Sequence, residues 1–181
     1  MISNDCENIM LITVRAAQLS DLPQLAKMNS CLVDDQGSEN PFSLTEYEDR
    51  FREWLDTNIW TVDVFLHDGQ VVGYSVYQER TDYYDPNETV IYIRQYYIKR
   101  SHRRVGLGKA AFQILIDTRF PKDVQSIALD VMETNSVGQN FWKKLGFNEY
   151  FISMKKELEQ KQLTSRARRQ STEKSWTQYP A

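Results

Sequence analysis

The sequence predicts a single α/β (α+β) domain in which a mixed β-sheet is flanked by helices. Strand and helix patterns follow one another in the order β-α-α-β-β-β-α-β-α-β. Three consecutive strands in the middle of this order argue against a regular alternating parallel sheet, and a mixed sheet fits better. A chain of 181 residues, of which 41% are hydrophobic, is expected to form one domain with a substantial core.

Start and stop signals locate the helices. Ser20-Asp21 and Pro23 are typical of a first turn, and Ser43 and Glu46 form a capping box that opens a second helix. Gly146 is expected to end the last helix as its C-cap. The helix patterns begin at residues 20 and 43 and cover residues 107–119 and 135–145, with a polar, acidic loop predicted over residues 34–41.

Alternating apolar and β-branched residues locate the strands. Asp68-Gly69 lies between two of them and is a dipeptide favoured in tight hairpin turns. Residues 89–98 are β-branched and aromatic and give the strongest strand signal in the chain. The predicted strands cover residues 10–15, 60–66, 71–78, 89–98, 126–132 and 148–156.

Composition separates a central domain from two terminal segments. Residues 10–157 are predicted to be the domain, residues 1–9 an N-terminal extension, and residues 158–181 a flexible basic tail without periodicity. The net charge is −3, but residues 155–181 carry seven cations and three anions, so the other 154 residues carry −7. An acidic body argues against nucleic acid as the main partner.

Cysteine content and hydropathy point to a compartment. Cys6 and Cys31 are the only cysteines, and two lone thiols do not make a disulfide framework. No apolar run approaches the length that spans a membrane, and Asp5 and Glu7 stand where a signal peptide needs cations. We therefore expect a cytoplasmic protein without a membrane partner.

A glycine-spaced, cationic turn joins the fourth strand to the third helix. The N–H groups that begin a helix have no partner inside it, and the helix dipole adds positive potential there. Glycine lets this backbone approach a phosphate closely, so the turn predicts a phosphate-bearing cofactor. The turn consists of Arg103, Arg104, Val105, Gly106, Leu107, Gly108 and Lys109.

Other interpretations of this turn are weaker. Residues 106–111 also satisfy the dinucleotide fingerprint G-x-G-x-x-A, but seven residues separate Ile98 from Gly106, whereas that fingerprint belongs in a very tight turn. A Walker loop is excluded because the chain has no G-K-[ST] here. An ordinary capped helix after a solvated basic loop stays open on this turn alone.

A second segment, N-S-V-G-Q-N-F-W-K-K-L-G-F at residues 135–147, decides between these interpretations. Together the two segments resemble the GCN5-related N-acetyltransferase (GNAT) superfamily over residues 10–156. The run at residues 92–98 also resembles bacterial acetyltransferases with an Arg-Gln-aromatic fourth strand. The resemblance implies a mostly antiparallel sheet with helices on both faces. It rests on Arg103, Gly106 and Gly108 in the first motif and on Asn135, Phe141, Gly146 and Phe147 in the second.

The resemblance implies acetyl-coenzyme A as cosubstrate and implies no metal. Its pyrophosphate would lie over the N–H groups of residues 104–109, and its pantetheine arm along an unpaired edge at Tyr96, Tyr97 and Ile98. An N–H of Tyr97 or Ile98 would hold the thioester oxygen. Asn135 would form a hydrogen bond with the pantetheine arm, and Lys143 would approach the 3′-phosphate. Phe141 would pack against the cofactor. Core packing for Phe141 and a simple helix N-cap for Asn135 are the alternatives.

The chemistry is less well specified. The family often has a tyrosine acid where this chain has Trp142, and an indole cannot donate that proton. Tyr92, Gln95 and Asp130 are the candidate catalytic residues near the expected strand split. Gln95 can only position a water, whereas Asp130 is the candidate base or a carboxylate on the solvent side of a strand.

The acceptor side is predicted from charge. Asp34, Asp35 and Glu39 lie between the first two helices and are expected to hold an ammonium group or polyamine, unless they are only an acidic surface loop. One predicted strand follows Gly146-Phe147, whereas the family commonly has two. A homodimer is one way to supply the second.

These observations predict an N-acetyltransferase that transfers acetyl from acetyl-coenzyme A to a primary amine of a small molecule or peptide by direct attack in a ternary complex. The alternative from another class is a catalytically weak coenzyme A-binding sensor, which the missing tyrosine favours. A nucleic-acid binder built on residues 99–104 and 166–169 is the third interpretation, and it predicts steeply salt-dependent affinity.

Overall fold

The computed structural model of the chain describes residues 12–38, 42–82, 85–150 and 152–156. The chain divides into two compact units, Met1–Gly146 and Phe147–Ala181. The predicted N-terminal extension, the predicted tail and Glu39 lie outside the described residues.

The first unit contains a five-stranded sheet and four α-helices over its described residues. The strands lie in the order β1-β2-β3-β4-β5, every neighbouring pair is antiparallel except β4–β5, and this confirms the predicted fold class. The elements are β1 (Ile12–Ala16), α1 (Leu22–Gln36), α2 (Leu44–Thr57), β2 (Thr61–His67), β3 (Gln70–Thr81), β4 (Thr89–Ile98), α3 (Leu107–Thr118), β5 (Ser126–Leu129) and α4 (Ser136–Lys144).

Two predicted elements differ in kind from the structure, and the strand predicted over residues 126–132 ends earlier, at Leu129. The first helix runs to Gln36 and ends at Gly37, whose φ of 66° is the left-handed C-cap conformation, so Asp34 and Asp35 belong to its last turn and not to a loop. The strand predicted over residues 148–156 is wrong, because residues 148–150 and 152–156 have no regular secondary structure. Alternation alone does not make a strand, since a strand also needs a neighbour for its main-chain hydrogen bonds.

One face of the sheet is covered by α1 and α2. The two helices carry apolar side chains at helical spacing, and these pack on strand side chains that alternate toward the same face. Phe51 lies at a close-packed point of this core. Its ring contacts the rings of Trp54 and Tyr74 edge-on, at centroid distances of 5.2 and 5.5 Å. The core on this face comprises Leu22, Leu25, Met28, Leu32, Phe51, Trp54, Val62, Val64, Tyr74, Val76 and Tyr97.

A buried carboxylate on β2 fastens the end of α3. Asp63 is fully buried and accepts two hydrogen bonds from Arg119, at 2.8 Å from Nε and 2.7 Å from Nη2. The Tyr77 hydroxyl donates a third at 2.7 Å. Arg119 is the C-cap of α3, so these bonds fix that end of the helix to the strand.

Asp63→Ala is expected to lower the free energy of unfolding by about 2 kcal/mol, because the buried Tyr77 hydroxyl and the Arg119 guanidinium both lose their acceptor. Urea unfolding followed by fluorescence measures this. The control is Asp123→Ala, which removes an exposed carboxylate. Equal unfolding midpoints for the two variants would contradict a structural role for Asp63.

Many tyrosines of this fold are expected to resist ionisation. Burial raises the pKa of six of the ten tyrosines above the ordinary value near 10, and the pKa of Tyr92 and of Tyr97 reaches about 12. Because the unfolded chain ionises near pH 10 and the folded chain does not, stability is intact below pH 10 and falls as the pH rises above it. The six are Tyr47, Tyr74, Tyr77, Tyr92, Tyr96 and Tyr97.

An alkaline titration of tyrosinate absorbance, run beside circular dichroism, is therefore expected to show a late phase that coincides with loss of structure. A single titration of all ten tyrosines near pH 10 with the fold intact would contradict it.

Candidate active site

The sheet opens between β4 and β5. The two strands pair in parallel from Val90–Ser126 to Ile93–Leu129, and the ladder stops there although β4 continues to Ile98. Over residues 94–98 no described strand lies on that side of β4. The last five residues of β4 therefore present a free strand edge.

Main-chain alternation shows which groups face this edge. The Lys99 N–H donates to the Val72 carbonyl on β3 at 2.8 Å, so the main-chain groups of Tyr97, two residues earlier, also turn toward β3. Those of Tyr96 and Ile98 turn the other way, toward the opening. Of the two N–H groups predicted for the thioester oxygen, only that of Ile98 therefore faces the opening, and its role stays a prediction.

A β-bulge lies at the point where the sheet opens. On β3, Val76 pairs with Gln95 and Tyr77 pairs with Ile93, so Arg94 is an extra residue with no partner across the ladder. Arg94 is also the first residue of β4 beyond the segment paired with β5, so it lies directly beside the opening.

The cationic turn follows β4 and begins α3. Arg104 and Gly106 have positive φ angles of 65° and 89°, and the Ala110 N–H makes the first helical bond, to the Gly106 carbonyl at 3.1 Å. The N–H groups of residues 104–109 donate no hydrogen bond to the part of the chain that the structure describes, and no side chain caps the helix. Unpartnered N–H groups at a helix start fit the phosphates of a coenzyme.

Arg103 braces this turn. Its Nε donates to the Ile98 carbonyl at 2.7 Å and its Nη2 to Asp35 at 2.6 Å, and Arg100 holds the other Asp35 oxygen at 2.8 Å. The Asp35 carboxylate is thus shared by two guanidiniums, and an acceptor ammonium would have to displace them. Asp34 lies 4.0 Å from Arg100. Phosphate binding by Arg103 stays a prediction.

An aromatic cluster supports α3 and α4 behind the open edge. Tyr96 stacks on Phe141 at a centroid distance of 5.8 Å and its hydroxyl donates to the Gly108 carbonyl at 2.6 Å. Trp142 is buried against Tyr96 and Phe112, at 5.3 and 5.4 Å. Trp142 is therefore a core residue on the helix.

Asn135 caps α4, since its side-chain oxygen accepts the Gly138 N–H at 2.8 Å. A Cβ on residue 138 would lie 2.5 Å from the Asn135 amide nitrogen, so glycine here leaves room for the cap. Lys143 is exposed in the last turn of the same helix. Pantetheine contact by Asn135 and phosphate contact by Lys143 stay predictions.

The structure brings the three predicted catalytic residues to one face, beside the opening. The Tyr92 hydroxyl donates to Asp130 at 2.5 Å, and Asp130 is exposed one residue beyond the end of β5. Burial, followed by this hydrogen bond, raises the pKa of Tyr92 to about 12, so Tyr92 remains a hydrogen-bond donor at neutral pH. Gln95 accepts from the Tyr74 hydroxyl at 3.1 Å.

The cations on this face of the sheet were not predicted as site residues from the sequence. The Arg80 guanidinium lies 3.8 Å from the centre of the Tyr92 ring, and Arg94 lies 5.0 Å from that of Trp60. Arg50 reaches the same region from α2 and lies 5.1 Å from Trp54. The signal that marks Arg94 is a charged residue in the middle of the most apolar strand pattern in the chain.

The sequence profile of the acetyltransferase (GNAT) family matches residues 28–147, well over half of the chain. The chain belongs to the GNAT family. This match begins within α1 and extends through α4, and so includes both the open edge of β4 and the unpartnered turn before α3. A search of curated proteins found no match.

Solved structures show the same GNAT fold at low sequence identity. A protein from Clostridium difficile described as a possible acetyltransferase has a TM-score of 0.66 at 20% identity, covering 82% of this chain and 97% of that protein. A protein from Clostridium acetobutylicum described as a predicted acetyltransferase, solved with acetyl-CoA, has a TM-score of 0.63 at 17% identity, with 81% and 96% covered. An aminoglycoside N-acetyltransferase solved with CoA has a TM-score of 0.65 at 16% identity, with 82% and 95% covered.

GNAT membership supports acetyl transfer as the general activity. Of the helices in the described residues, none combines the length and the apolar character needed to cross a bilayer.

Proposed function

We propose that this chain is an N-acetyltransferase that takes acetyl from acetyl-coenzyme A and transfers it to a primary amine of a small molecule or peptide in a ternary complex. The observation that carries the proposal is the free edge of β4 that leads directly into the unpartnered N–H groups of residues 104–109. An extended amide-bearing arm pairs with such an edge, and a diphosphate fits such a turn. Neighbouring structures with acetyl-CoA and CoA support this choice of cosubstrate.

The chain's own residues supply three functions. Residues 104–109 and the edge at Tyr96 and Ile98 bind and orient the coenzyme, whose thioester supplies an activated acetyl group. The Ile98 N–H is placed to stabilise negative charge that develops on the carbonyl oxygen. Asp130 accepts the proton that the acceptor ammonium loses before its nitrogen attacks, and Tyr92 positions Asp130 through its 2.5 Å hydrogen bond.

In this reaction the N–C bond forms while the C–S bond breaks, and the nitrogen releases its second proton to water as the amide forms. The coenzyme leaves as a thiolate or takes a proton from water, because Trp142 is buried in an aromatic cluster and donates none. Neither cysteine lies in a motif, so direct attack is proposed without an acetyl-enzyme. A cytoplasmic location stays a prediction from cysteine content.

Calorimetry and a thiol-release assay test this function together. We expect the full chain to bind coenzyme A and acetyl-coenzyme A and to release free thiol in the presence of a suitable amine. Binding without turnover across a broad amine panel would favour the sensor, for which the buried Trp142 argues. Absence of heat with either form of the coenzyme would overturn the proposal.

A further inference from the structure

Two arginines and two tryptophans form a connected group on the α1–α2 face of the sheet. We name Arg50, Trp54, Trp60 and Arg94 the arginine–tryptophan cluster. Both guanidiniums flank the indole of Trp54, with guanidinium carbons 5.1 Å (Arg50) and 5.6 Å (Arg94) from its centre. Arg94 also lies 5.0 Å from Trp60, which leaves both cations held by aromatic faces.

The cluster borders the proposed reaction centre. Arg94 is the bulge residue at which β4 leaves β5, so its main chain is part of the opening. The Trp60 ring lies 6.2 Å from the ring of Tyr92, which holds Asp130. An acceptor whose amine reaches Asp130 therefore has the cluster beside it.

The charges of this cluster are not balanced. The ion pairs found among the described residues include neither Arg50 nor Arg94. Arg50 donates through Nη2 to Asn29 at 2.7 Å, but its Nε and the Asn29 Nδ2 are buried without a hydrogen-bond partner in the described structure. Burial lowers the pKa of Arg50, and the positive charge of Arg94 acts in the same direction.

Positive charge without a counter-ion indicates the chemistry of a ligand. A half-buried guanidinium beside a second cation is costly, and Arg50 lies in this position beside the exposed Arg94. A group that carries negative charge on oxygen offsets this cost, and the planar guanidinium matches a carboxylate or phosphate.

We propose that the acceptor amine also carries an anionic oxygen group, a carboxylate or a phosphate, which binds to Arg50 and Arg94 while its amine faces Asp130. This inference rests on the proposed function and specifies its substrate class. It replaces the expectation of a polyamine held by Asp34 and Asp35, because Arg100 and Arg103 already neutralise Asp35. A polycation would be repelled by the cluster.

Matched amines test this inference. The thiol-release assay compares glutamate with glutamine, O-phosphoserine with serine, and glucosamine 6-phosphate with glucosamine, and it includes spermidine as a polycation. We expect at least one anionic member to exceed its neutral partner in kcat/KM by about tenfold or more. Comparing the carboxylate pair with the two phosphate pairs shows which anion is preferred.

Arginine variants locate the effect. Arg94→Gln is expected to raise KM for the preferred anionic amine about tenfold, more than for its neutral partner, and Arg94→Lys to restore part of the loss because it keeps the charge. The matched control is Arg52→Gln, which removes an exposed arginine two residues from Arg50 on α2 and is expected to change neither value. Coenzyme affinity is measured for each variant by calorimetry.

A binding experiment tests the inference even if the panel of amines lacks the natural acceptor. Fluorescence of the coenzyme A-saturated protein is titrated with the same anionic amines, and their binding, weakened by Arg94→Gln, supports the inference. Turnover restricted to neutral or cationic amines, or failure of every anionic amine to bind, overturns it while the acetyltransferase proposal stands. Loss of coenzyme binding in the wild type would instead overturn the proposed function and this inference with it.

Discussion

Gly108→Asp is expected to weaken coenzyme A binding about a hundredfold, because it places a carboxylate among the N–H groups proposed to hold the pyrophosphate. Gly108 lies in the first turn of α3, where the N–H groups of residues 104–109 have no hydrogen-bond partner in the described structure. A Cβ added there would lie 3.1 Å from the Phe141 ring, so a purely steric effect must be separated from the charge.

Gly108→Ala makes that separation, since it adds the same Cβ without charge. We expect a loss of only a few-fold for alanine, and calorimetry with coenzyme A measures both variants. Thermal unfolding checks that the aspartate variant is still folded. An acidic residue in the first turn interacts favourably with the helix dipole, so α3 is expected to stay intact. Equal affinities for the alanine and aspartate variants would contradict the placement of the pyrophosphate.

Asp130→Asn is expected to lower kcat about a hundredfold or more while the coenzyme KM stays close to that of the wild type. Asparagine keeps the size of the side chain and its contact with Tyr92 but cannot accept the acceptor's proton. Asp123→Asn is the matched control. It removes an exposed carboxylate that precedes β5 in the chain, seven residues before Asp130.

Tyr92→Phe separates a positioning role from a catalytic one. The Tyr92 hydroxyl donates to Asp130 at 2.5 Å, so we expect the phenol to act by holding Asp130 in place. We expect this variant to lose about tenfold in kcat, less than Asp130→Asn. Wild-type turnover by Asp130→Asn would remove Asp130 as the base.

Local patterns were sufficient for most of the fold. The span of β4 was predicted in full, because ten successive residues rich in β-branched and aromatic side chains suit only a buried strand. The capping box at Ser43 and Glu46 was predicted from spacing and is present, with both reciprocal bonds made. The end of α1 differs from the prediction because the acidic pair Asp34-Asp35 has the composition of a loop, whereas Gly37 carries the stop signal.

The candidate site was only partly accessible from sequence. Motif spacing identified the turn at residues 103–109, since its chemistry is local to one segment. The pairing of Asp35 with Arg100 and Arg103 spans more than sixty positions, and Arg50 and Arg94 meet because a residue of α2 and a residue of β4 both lie over the ring of Trp54. Such contacts depend on the packing of distant elements, which periodicity in a single sequence does not encode.

Arg94 is the one residue of β4 that the ladder with β3 does not use. Ile93 and Gln95 pair with the consecutive β3 residues Tyr77 and Val76, so deleting Arg94 would leave a regular ladder in which Tyr96 and Tyr97 keep their present faces. Under the proposed function, a substitution at this position changes what the acceptor meets and leaves the main-chain pairing unchanged. Natural variation there, in side chain or in length, is therefore free to retune substrate choice while the coenzyme edge keeps its register.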